Sequence, residues 1–305
     1  SGASIAHGEM INDGAGPMAW RGAIEKAKQL PFEELRRSDQ GEVLLLREPV
    51  GTVLAILTYN GPIVLMGMKV IPALLAGCPV IVKPAPESPL TTRIIAEAMA
   101  AADFPPGVLS MLAAGVEVTQ HLVAHDGIDM ISLTGGTAIA IDVIRRSASR
   151  LARTALELGG KSPAIIADDA DLATILPDLV GGSTGFQGQV CITLSRILVS
   201  SKRYDEVANA LSEAYSNLRV GLPWDVTVDR GPLAVERARD RVEAAVSGAL
   251  KQGASIAAGG CRPAHLQRGW YYEPTLLVGV DNGMDVARDE IFGPVTALIP
   301  YDDLD

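Results

Sequence analysis

Short apolar runs alternate with helical patterns through the first half of the chain. Five runs of four to six residues have the length and composition of buried strands, and four segments with helical spacing separate them. The predicted strands cover residues 53–57, 79–82, 109–112, 130–133 and 153–158, and the predicted helices cover 62–76, 90–102, 116–124 and 138–149. Strands joined in this way by helices form βαβ units, so we predict a parallel sheet with helices on both faces. Ligands of such sheets bind beyond the carboxyl ends of the strands.

Two prolines and a serine mark the helices of this half. Pro72 should kink or break the helix over 62–76, and Ser88 before Pro89 is typical of a helix N-cap. Upstream, residues 18–29 have a helical pattern, residues 33–40 are predicted as an exposed loop or arm, and residues 42–48 as a strand.

After two adjacent glycines, Gly159 and Gly160, the alternation starts again. The pattern predicts strands over 163–167, 195–200, 255–258, 275–278 and 295–299, and helices over 172–180, 204–218 and 235–251. We therefore predict two α/β domains, residues 1–158 and 159–305. The chain ends just after a strand, so the second domain is predicted to be incomplete at its C-terminus.

Composition narrows the class of protein. With 48% hydrophobic and 20% charged residues the chain is a folded protein, and its net charge of −10 without a basic cluster disfavours nucleic-acid and anionic-membrane partners. The apolar stretch 62–82 is interrupted by Lys69 and two prolines, so we expect no membrane span, and no signal peptide is visible. Three scattered cysteines favour a reducing compartment, here the cytoplasm, and neither they nor the four histidines have metal-ligand spacing.

Three residue types in the chain suggest chemistry at a carbonyl group. Cys191 lies where a glycine-rich loop enters a strand, Asn60 follows the first strand, and Glu157 ends the fifth. A thiolate can attack a carbonyl, a side-chain amide can donate to the resulting oxyanion, and a carboxylate can activate water. We predict that Cys191 and Glu157 lie on opposite walls of a cleft between the domains. The alternatives are a small buried cysteine, as we expect for Cys78 and Cys261, a turn asparagine and a paired structural carboxylate.

Two further patterns are weaker. TGGT at 134–137 could seat a pyrophosphate at a helix N-terminus, although no G-x-G-x-x-G follows a predicted strand. GGSTG at 181–185 fits G-x-S-x-G, but Ser183 follows a helical rather than a strand pattern, which disfavours a serine hydrolase.

Six segments, in this order, resemble motifs of the NAD(P)-dependent aldehyde dehydrogenase superfamily. They are TYNGP (58–62), VKPAPESP (82–89), LTGGT (133–137), LELGGKSP (156–163), GQVC (188–191) and EIFGPV (290–295). The resemblance covers the middle portion of the family's chain and implies a Rossmann-like cofactor domain followed by a second α/β catalytic domain.

The resemblance also implies roles for individual residues. The catalytic residues would be Cys191, Glu157, Asn60 and Lys69, the last near a proton path. The cofactor, NAD or NADP, would contact Ile56, Thr58, Tyr59, Lys83, Pro86, Glu87, Gly135, Gly136, Thr137, Leu158, Glu290 and Phe292. The substrate would be an aldehyde, and residues 30–47 would form an arm that reaches a neighbouring subunit of a homo-oligomer, a dimer or a tetramer.

Four residues depart from the family's pattern. Tyr59 replaces a common Trp, Pro86 a Glu that selects NAD, Gly136 a Ser near the phosphates, and Phe186 a common Asn before the nucleophile. Tyr59, with Ile192, would border the substrate tunnel and suggest an apolar or aromatic aldehyde. Two alternative functions stay open: acyl transfer to coenzyme A, which the presence of Glu157 disfavours, and a partial or non-catalytic member that only binds nucleotide.

Overall fold

The computed structural model describes residues 2–303, which form two compact units. One unit contains residues 9–158, and the other combines residues 2–8 with residues 159–303. The chain passes from the first unit to the second at Gly159, and residues 2–8 group with the second unit. The backbone N–H of Ile5 donates to the Pro223 carbonyl at 2.7 Å, which joins this short segment to the second unit.

The chain begins with helical segments and a hairpin. Helix α1 (Ile5–Glu9) is followed by a π-helical turn (Met10–Ala15), helix α2 (Gly16–Gln29), and strands β1 (Glu33–Ser38) and β2 (Gly41–Leu46). Within residues 2–303, the two strands pair only with each other, antiparallel. The segment predicted over 33–40 as an exposed loop or arm is therefore exposed, but it is mostly a strand. Its residues are almost all exposed, so it lacks the alternation of apolar and polar positions by which a strand is predicted.

A five-stranded parallel sheet forms the centre of the first unit. Its strands are β3 (Val53–Ile56), β4 (Val80–Lys83), β5 (Leu109–Met111), β6 (Met130–Gly135) and β7 (Arg153–Leu158). They lie in the order β5-β4-β3-β6-β7 and all pair in parallel. The order reverses between β3 and β6, as in doubly wound nucleotide-binding sheets.

The helices of this sheet follow the prediction closely. They are α3 (Pro62–Leu65), α4 (Ile71–Leu75), α5 (Pro89–Ala101), α6 (Val116–Ala124) and α7 (Thr137–Ser147), the last continued by a 3-10 turn (Ala148–Arg150). The helix predicted over 62–76 is interrupted near Pro72, as expected. The interruption is a π-helical turn over Met66–Val70, and Pro72, which cannot donate a backbone hydrogen bond, lies in the first turn of the helix that follows. Ser88 occupies the N-cap of α5, but its hydroxyl bonds to the Ala85 carbonyl and does not cap the helix.

The second unit also has a five-stranded sheet. Its strands are β8 (Ser162–Ile166), β9 (Leu194–Ser200), β10 (Ser255–Ala258), β11 (Thr275–Val278) and β12 (Val295–Tyr301), in the order β10-β11-β12-β9-β8. Only the β10–β11 pair is antiparallel. The helices are α8 (Leu172–Thr184), α9 (Tyr204–Ser216), α10 (Glu236–Lys251) and α11 (Asp285–Arg288), with 3-10 turns at Gly185–Gly188 and Ser201–Arg203.

Both sheets are covered by apolar side chains, and the predicted α/β class with parallel sheets is confirmed. Leu54 and Ile131 are fully buried in the first unit, as are Leu276 and Leu298 in the second. In the described part of the chain, no helix combines the length and the apolar character that crossing a membrane requires.

Candidate active site

The carboxyl ends of β3, β6 and β7 bring together most of the predicted site residues of the first unit. Ile56 ends β3 and is buried, and Asn60 follows four residues later in an extended turn. On the neighbouring strands, Thr134 of β6 pairs with Glu157 of β7, and Gly135 pairs with Leu158. Because parallel strands end at the same sheet edge, these residues share the edge beside the switch point between β3 and β6.

The amide group of Asn60 is oriented by a neighbour. Thr58 donates its hydroxyl to Oδ1 of Asn60 at 2.7 Å. A side-chain amide has one oxygen and two N–H donors, so this bond occupies the oxygen and leaves the donors to point elsewhere. The turn thus presents a neutral hydrogen-bond donor, which the prediction requires of Asn60.

Lys69 is buried beneath the same edge. Its Nζ donates to the Ser132 hydroxyl at 3.2 Å and to the Leu133 carbonyl at 3.1 Å. Burial lowers the pKa of Lys69, and the nearby carboxylate of Glu157 partly opposes this effect. The side chain of Glu157 itself is exposed. The structure therefore brings Lys69 and Glu157 into one electrostatic environment.

The predicted pyrophosphate turn begins α7. Gly136 is the N-cap residue, Thr137 begins the helix, and a Cβ added at Gly136 would meet no atom within 4 Å. The Thr134 hydroxyl is buried and has no hydrogen-bond partner among the described residues. A helix N-terminus with open space in front of it is suited to an anion such as a phosphate.

The segment after β4 contains the other predicted cofactor residues of this unit. Burial lowers the pKa of Lys83 at the end of the strand, and Glu87 opposes the shift. Pro86 is exposed between them, and Tyr59 lies half-buried after β3. The carboxylate beside Lys83 therefore belongs to Glu87, one residue after Pro86, which replaces the glutamate of the family pattern.

In the second unit, Cys191 is exposed on a tight turn between the 3-10 turn and β9. We call residues 185–193 the nucleophile loop. Phe186 and Gln187 both have left-handed backbone conformations, with φ of 54°, and Gly188 follows with φ of 66°. Thr193 closes the loop, where its N–H and its hydroxyl donate to the Val190 carbonyl at 3.1 and 2.8 Å.

Two glycines connect this loop to the predicted EIFGPV segment. A Cβ at Gly188 would lie 2.1 Å from the carbonyl oxygen of Gly293, so only glycine allows this approach. A Cβ at Gly159 would lie within 2.2 Å of both oxygens of the Glu290 carboxylate. Burial raises the pKa of Glu290. Cys191, Glu290 and Phe292 therefore belong to one structural unit, held together by close backbone contacts.

Cys191 and Glu157 belong to different units, so their meeting across a cleft stays a prediction. The serine-hydrolase interpretation is excluded, because Ser183 lies fully buried within α8 and its hydroxyl contacts the Tyr215 hydroxyl at 2.6 Å. Cys78 is buried as expected. Cys261 is exposed, contrary to expectation, and its thiol contacts Glu273 at 3.5 Å.

Two residues of this region were not predicted from the sequence: Lys161, which lies near Glu290, and His7, which contacts the nucleophile loop. Lys161 has a buried Nζ without a hydrogen-bond partner among the described residues, although it lies within the LELGGKSP motif. His7 contacts Phe186 from a segment far away in sequence. No local pattern signals His7, whereas Lys161 could have been noticed as a charged residue between two glycines and a strand.

Known proteins resemble this chain in sequence and in fold. Residues 9–305 match the model of the aldehyde dehydrogenase family. The chain is 41% identical to geranial dehydrogenase of Castellaniella defragrans, over 90% of this chain and 58% of that protein. It is 34% identical to mitochondrial succinate-semialdehyde dehydrogenase of Arabidopsis thaliana, over 98% of this chain and 57% of that protein.

Among solved structures, an NAD+ complex of Mycobacterium tuberculosis aldehyde dehydrogenase matches with a TM-score of 0.95 and 40% identity, over 99% of this chain and 63% of that one. The chain thus spans about three fifths of the length of these relatives. Since the family model matches nearly the whole chain and the fold agrees, the chain belongs to the aldehyde dehydrogenase family.

Proposed function

We propose that the protein that contains this chain oxidises an aldehyde to a carboxylic acid, with NAD+ or NADP+ as the hydride acceptor. The observation that carries the proposal is the nucleophile loop, which presents an exposed Cys191 on a backbone fixed against Gly293. Family membership supports the reaction class. The similar structures from Mycobacterium tuberculosis and Bacillus cereus are NAD+ complexes, which supports the cofactor.

The proposed reaction forms and breaks one bond at sulfur. The Cys191 thiolate adds to the carbonyl carbon, and the oxyanion accepts hydrogen bonds from the Asn60 amide and the Cys191 backbone N–H. NAD+ or NADP+, when bound, would supply the hydride acceptor that this oxidation requires, and loss of the hydride would leave a thioester on Cys191. Glu157 then removes a proton from water, the water attacks the thioester, and the acid leaves as Cys191 is restored.

Lys69 is proposed to tune Glu157 and to assist the removal of its proton. Its ammonium group is buried below the same strand ends and interacts electrostatically with the Glu157 carboxylate.

The residues around the first sheet fit a dinucleotide. The N-terminus of α7 would hold the pyrophosphate, with Gly135, Gly136 and Thr137 lining the turn. Lys83 and Glu87 would bind the adenosine ribose, with Ile56, Thr58, Tyr59, Pro86 and Leu158 beside the cofactor. Glu290 and Phe292 of the second unit would hold the nicotinamide ribose.

We also propose a homo-oligomer, a dimer or a tetramer. Leu35 of β1 and Val43, Leu44 and Leu46 of β2 expose at least half of their surface. Exposed apolar side chains on a two-stranded arm favour burial against another subunit.

The proposed substrate is an apolar aldehyde. Ile192, directly after Cys191, is 74% exposed, and an exposed apolar side chain at this position favours an apolar substrate.

A burst experiment tests the division of roles. With NAD+ or NADP+ and a panel of apolar and charged aldehydes, Cys191→Ala should abolish turnover. Glu157→Gln should keep a burst of NAD(P)H with an amplitude close to one per site, but lose steady-state turnover. No burst in either the parent or the Gln variant would overturn the proposal.

Two control measurements separate the alternatives. Coenzyme A added to the parent should not accelerate turnover or yield an acyl-CoA, because water is the proposed acceptor. Binding of NAD+ or NADP+ without any aldehyde-dependent reduction would instead indicate a member that only binds nucleotide.

A further inference from the structure

The nucleophile loop contains an unusual run of backbone conformations. Phe186 has φ 54° and ψ 27°, and Gln187 has φ 54° and ψ 35°, both left-handed. Glycine and asparagine adopt this conformation readily, whereas a bulky side chain such as that of Phe is strained in it. The strain lies five residues before Cys191, so neighbouring contacts must hold Phe186 in place for the loop to keep its shape.

One such contact comes from the N-terminal segment, residues 2–8. The Phe186 ring is 4% exposed and meets the His7 imidazole edge-on, with ring centroids 5.4 Å apart and planes at 77°. Offset and edge-to-face ring pairs of this geometry are attractive. His7 is therefore the aromatic partner of the strained residue.

His7 is itself fixed. Its Nδ1 lies 2.9 Å from the hydroxyl of Ser4, which is 1% exposed. The Ile5 N–H donates to Pro223, and a Cβ at Gly2 would lie 2.1 Å from the Pro232 carbonyl oxygen. The segment thus lies tightly against the second unit, and the imidazole does not swing freely.

The other left-handed residue is held by different groups. When the side-chain amide of Gln187 is oriented so that its oxygen faces the Gly231 N–H, it accepts a hydrogen bond from that group at 2.6 Å. Gln189 accepts from the Ala234 N–H at 3.1 Å. The side-chain amides of Gln187 and Gln189 also donate to the Phe186 carbonyl, at 3.3 Å each. None of these bonds involves the Phe186 ring, so a change at His7 removes only the support of that ring.

We propose that His7 is a positioning residue for Cys191, because it holds Phe186 in the left-handed conformation that shapes the nucleophile loop. This inference rests on the proposed role of Cys191 as the nucleophile. It assigns a catalytic purpose to the segment before α2, which lies far from every motif of the site in sequence. It also explains how the chain tolerates Phe186 where an asparagine would adopt the conformation without help.

A double-mutant cycle tests the proposal in the full protein. His7→Ala should slow the NAD(P)H burst roughly three- to tenfold, the range expected for an aromatic pair, and leave the KM for the cofactor unchanged. In a Phe186→Asn background the same His7→Ala change should alter the burst less than about twofold, because Asn holds the conformation itself. His7→Phe keeps a ring edge and should retain most of the burst rate.

Hydrogen exchange provides a readout that does not depend on activity. The Gln189 N–H, which donates to the Phe186 carbonyl at 3.1 Å, should exchange faster in His7→Ala but not in His121→Ala. His121 is the matched control, since it forms a similar ring pair with His125 in the other unit.

The outcomes separate this inference from the proposed function. Unchanged exchange in His7→Ala, or an equal loss of burst rate in the parent and in the Phe186→Asn background, would overturn the role of His7. A parent without any burst would overturn the proposed function, while faster exchange in His7→Ala would still support the contact between His7 and the loop.

Discussion

The ammonium group of Lys161 is buried, and no group in the described part of the chain accepts a hydrogen bond from it. Its Nζ is enclosed and unpaired among the described residues, and the nearest charges are Arg196, Asp289 and Glu290. Burial, reinforced by Arg196, lowers the pKa of Lys161 from 10.5 to about 8, although the two carboxylates oppose the shift. We predict that Lys161→Met stabilises the second unit at neutral pH, because it removes the ammonium group.

The magnitude follows from the difference in proton affinity between the folded and unfolded states. At about 1.4 kcal/mol for each tenfold change, the charged form is disfavoured in the fold by about 3 kcal/mol. The folded pKa of Lys161 is lowered, so the unfolded chain binds more protons between pH 8 and pH 10.5, and the parent gains stability as the pH rises through this window. The Met variant has no such gain, so its advantage should be full below pH 8 and nearly gone above about pH 10.

Urea unfolding from about pH 7 to pH 10.5 measures this advantage. In a Trp20→Phe background, the remaining tryptophans, Trp224 and Trp270, report on the second unit. Lys202→Met is the control, because that side chain is 86% exposed and should change stability by less than about 0.5 kcal/mol at every pH. An advantage of Lys161→Met that does not shrink with rising pH would refute the reasoning, since it would then come from packing and not from the buried charge.

Three further changes test other parts of the molecule. Tyr215→Phe removes a buried hydroxyl that donates to Thr296 at 2.9 Å, so the free energy of unfolding should fall by about 1–2 kcal/mol in the same urea assay. Gly188→Ala places a Cβ against the Gly293 carbonyl at a positive φ, so the NAD(P)H burst should slow at least about tenfold, and the free energy of unfolding of the second unit should also fall, by at least about 1 kcal/mol. Glu87→Gln removes the carboxylate beside Lys83, so the ratio of kcat/KM for NADP+ to that for NAD+ should rise roughly tenfold, and an unchanged ratio would exclude Glu87 as a selector of the cofactor.

The sequence predicts the two sheets well because each strand is a short apolar run between helices. The positions of Asn60 after its strand and of Lys83 at the end of its strand follow from that pattern alone. The order of the strands does not, since periodicity gives no information on which strands are neighbours. The pairing of Thr134 with Glu157, which places the carboxylate beside the predicted phosphate turn, is therefore visible only in the structure.

The errors have specific physical reasons. Strand β1 is exposed on both faces, so its pattern predicts a loop, and the irregular turn before Pro72 cannot be placed within a helix from the proline alone. Burial is the usual state of a cysteine, but Cys261 lies on an exposed segment beside Glu273. Glu157 ends an apolar strand, yet its side chain is exposed.

One physical difference explains why the sequence motifs identify most of the candidate site but not the contact of His7 with Phe186. Gly188 has no side chain because Gly293 lies against it, and Gly159 has none because the Glu290 carboxylate occupies that space. Each of these pairs joins two motifs, so the spacing and identity of one constrain the other, and the set is identified from sequence as a whole. The contact between His7 and Phe186 imposes no such exclusion, because another ring at position 7 or an asparagine at position 186 would satisfy the backbone equally well. A contact that can be replaced in several ways leaves no fixed pattern in a sequence, and this is the kind of contact that coordinates must supply.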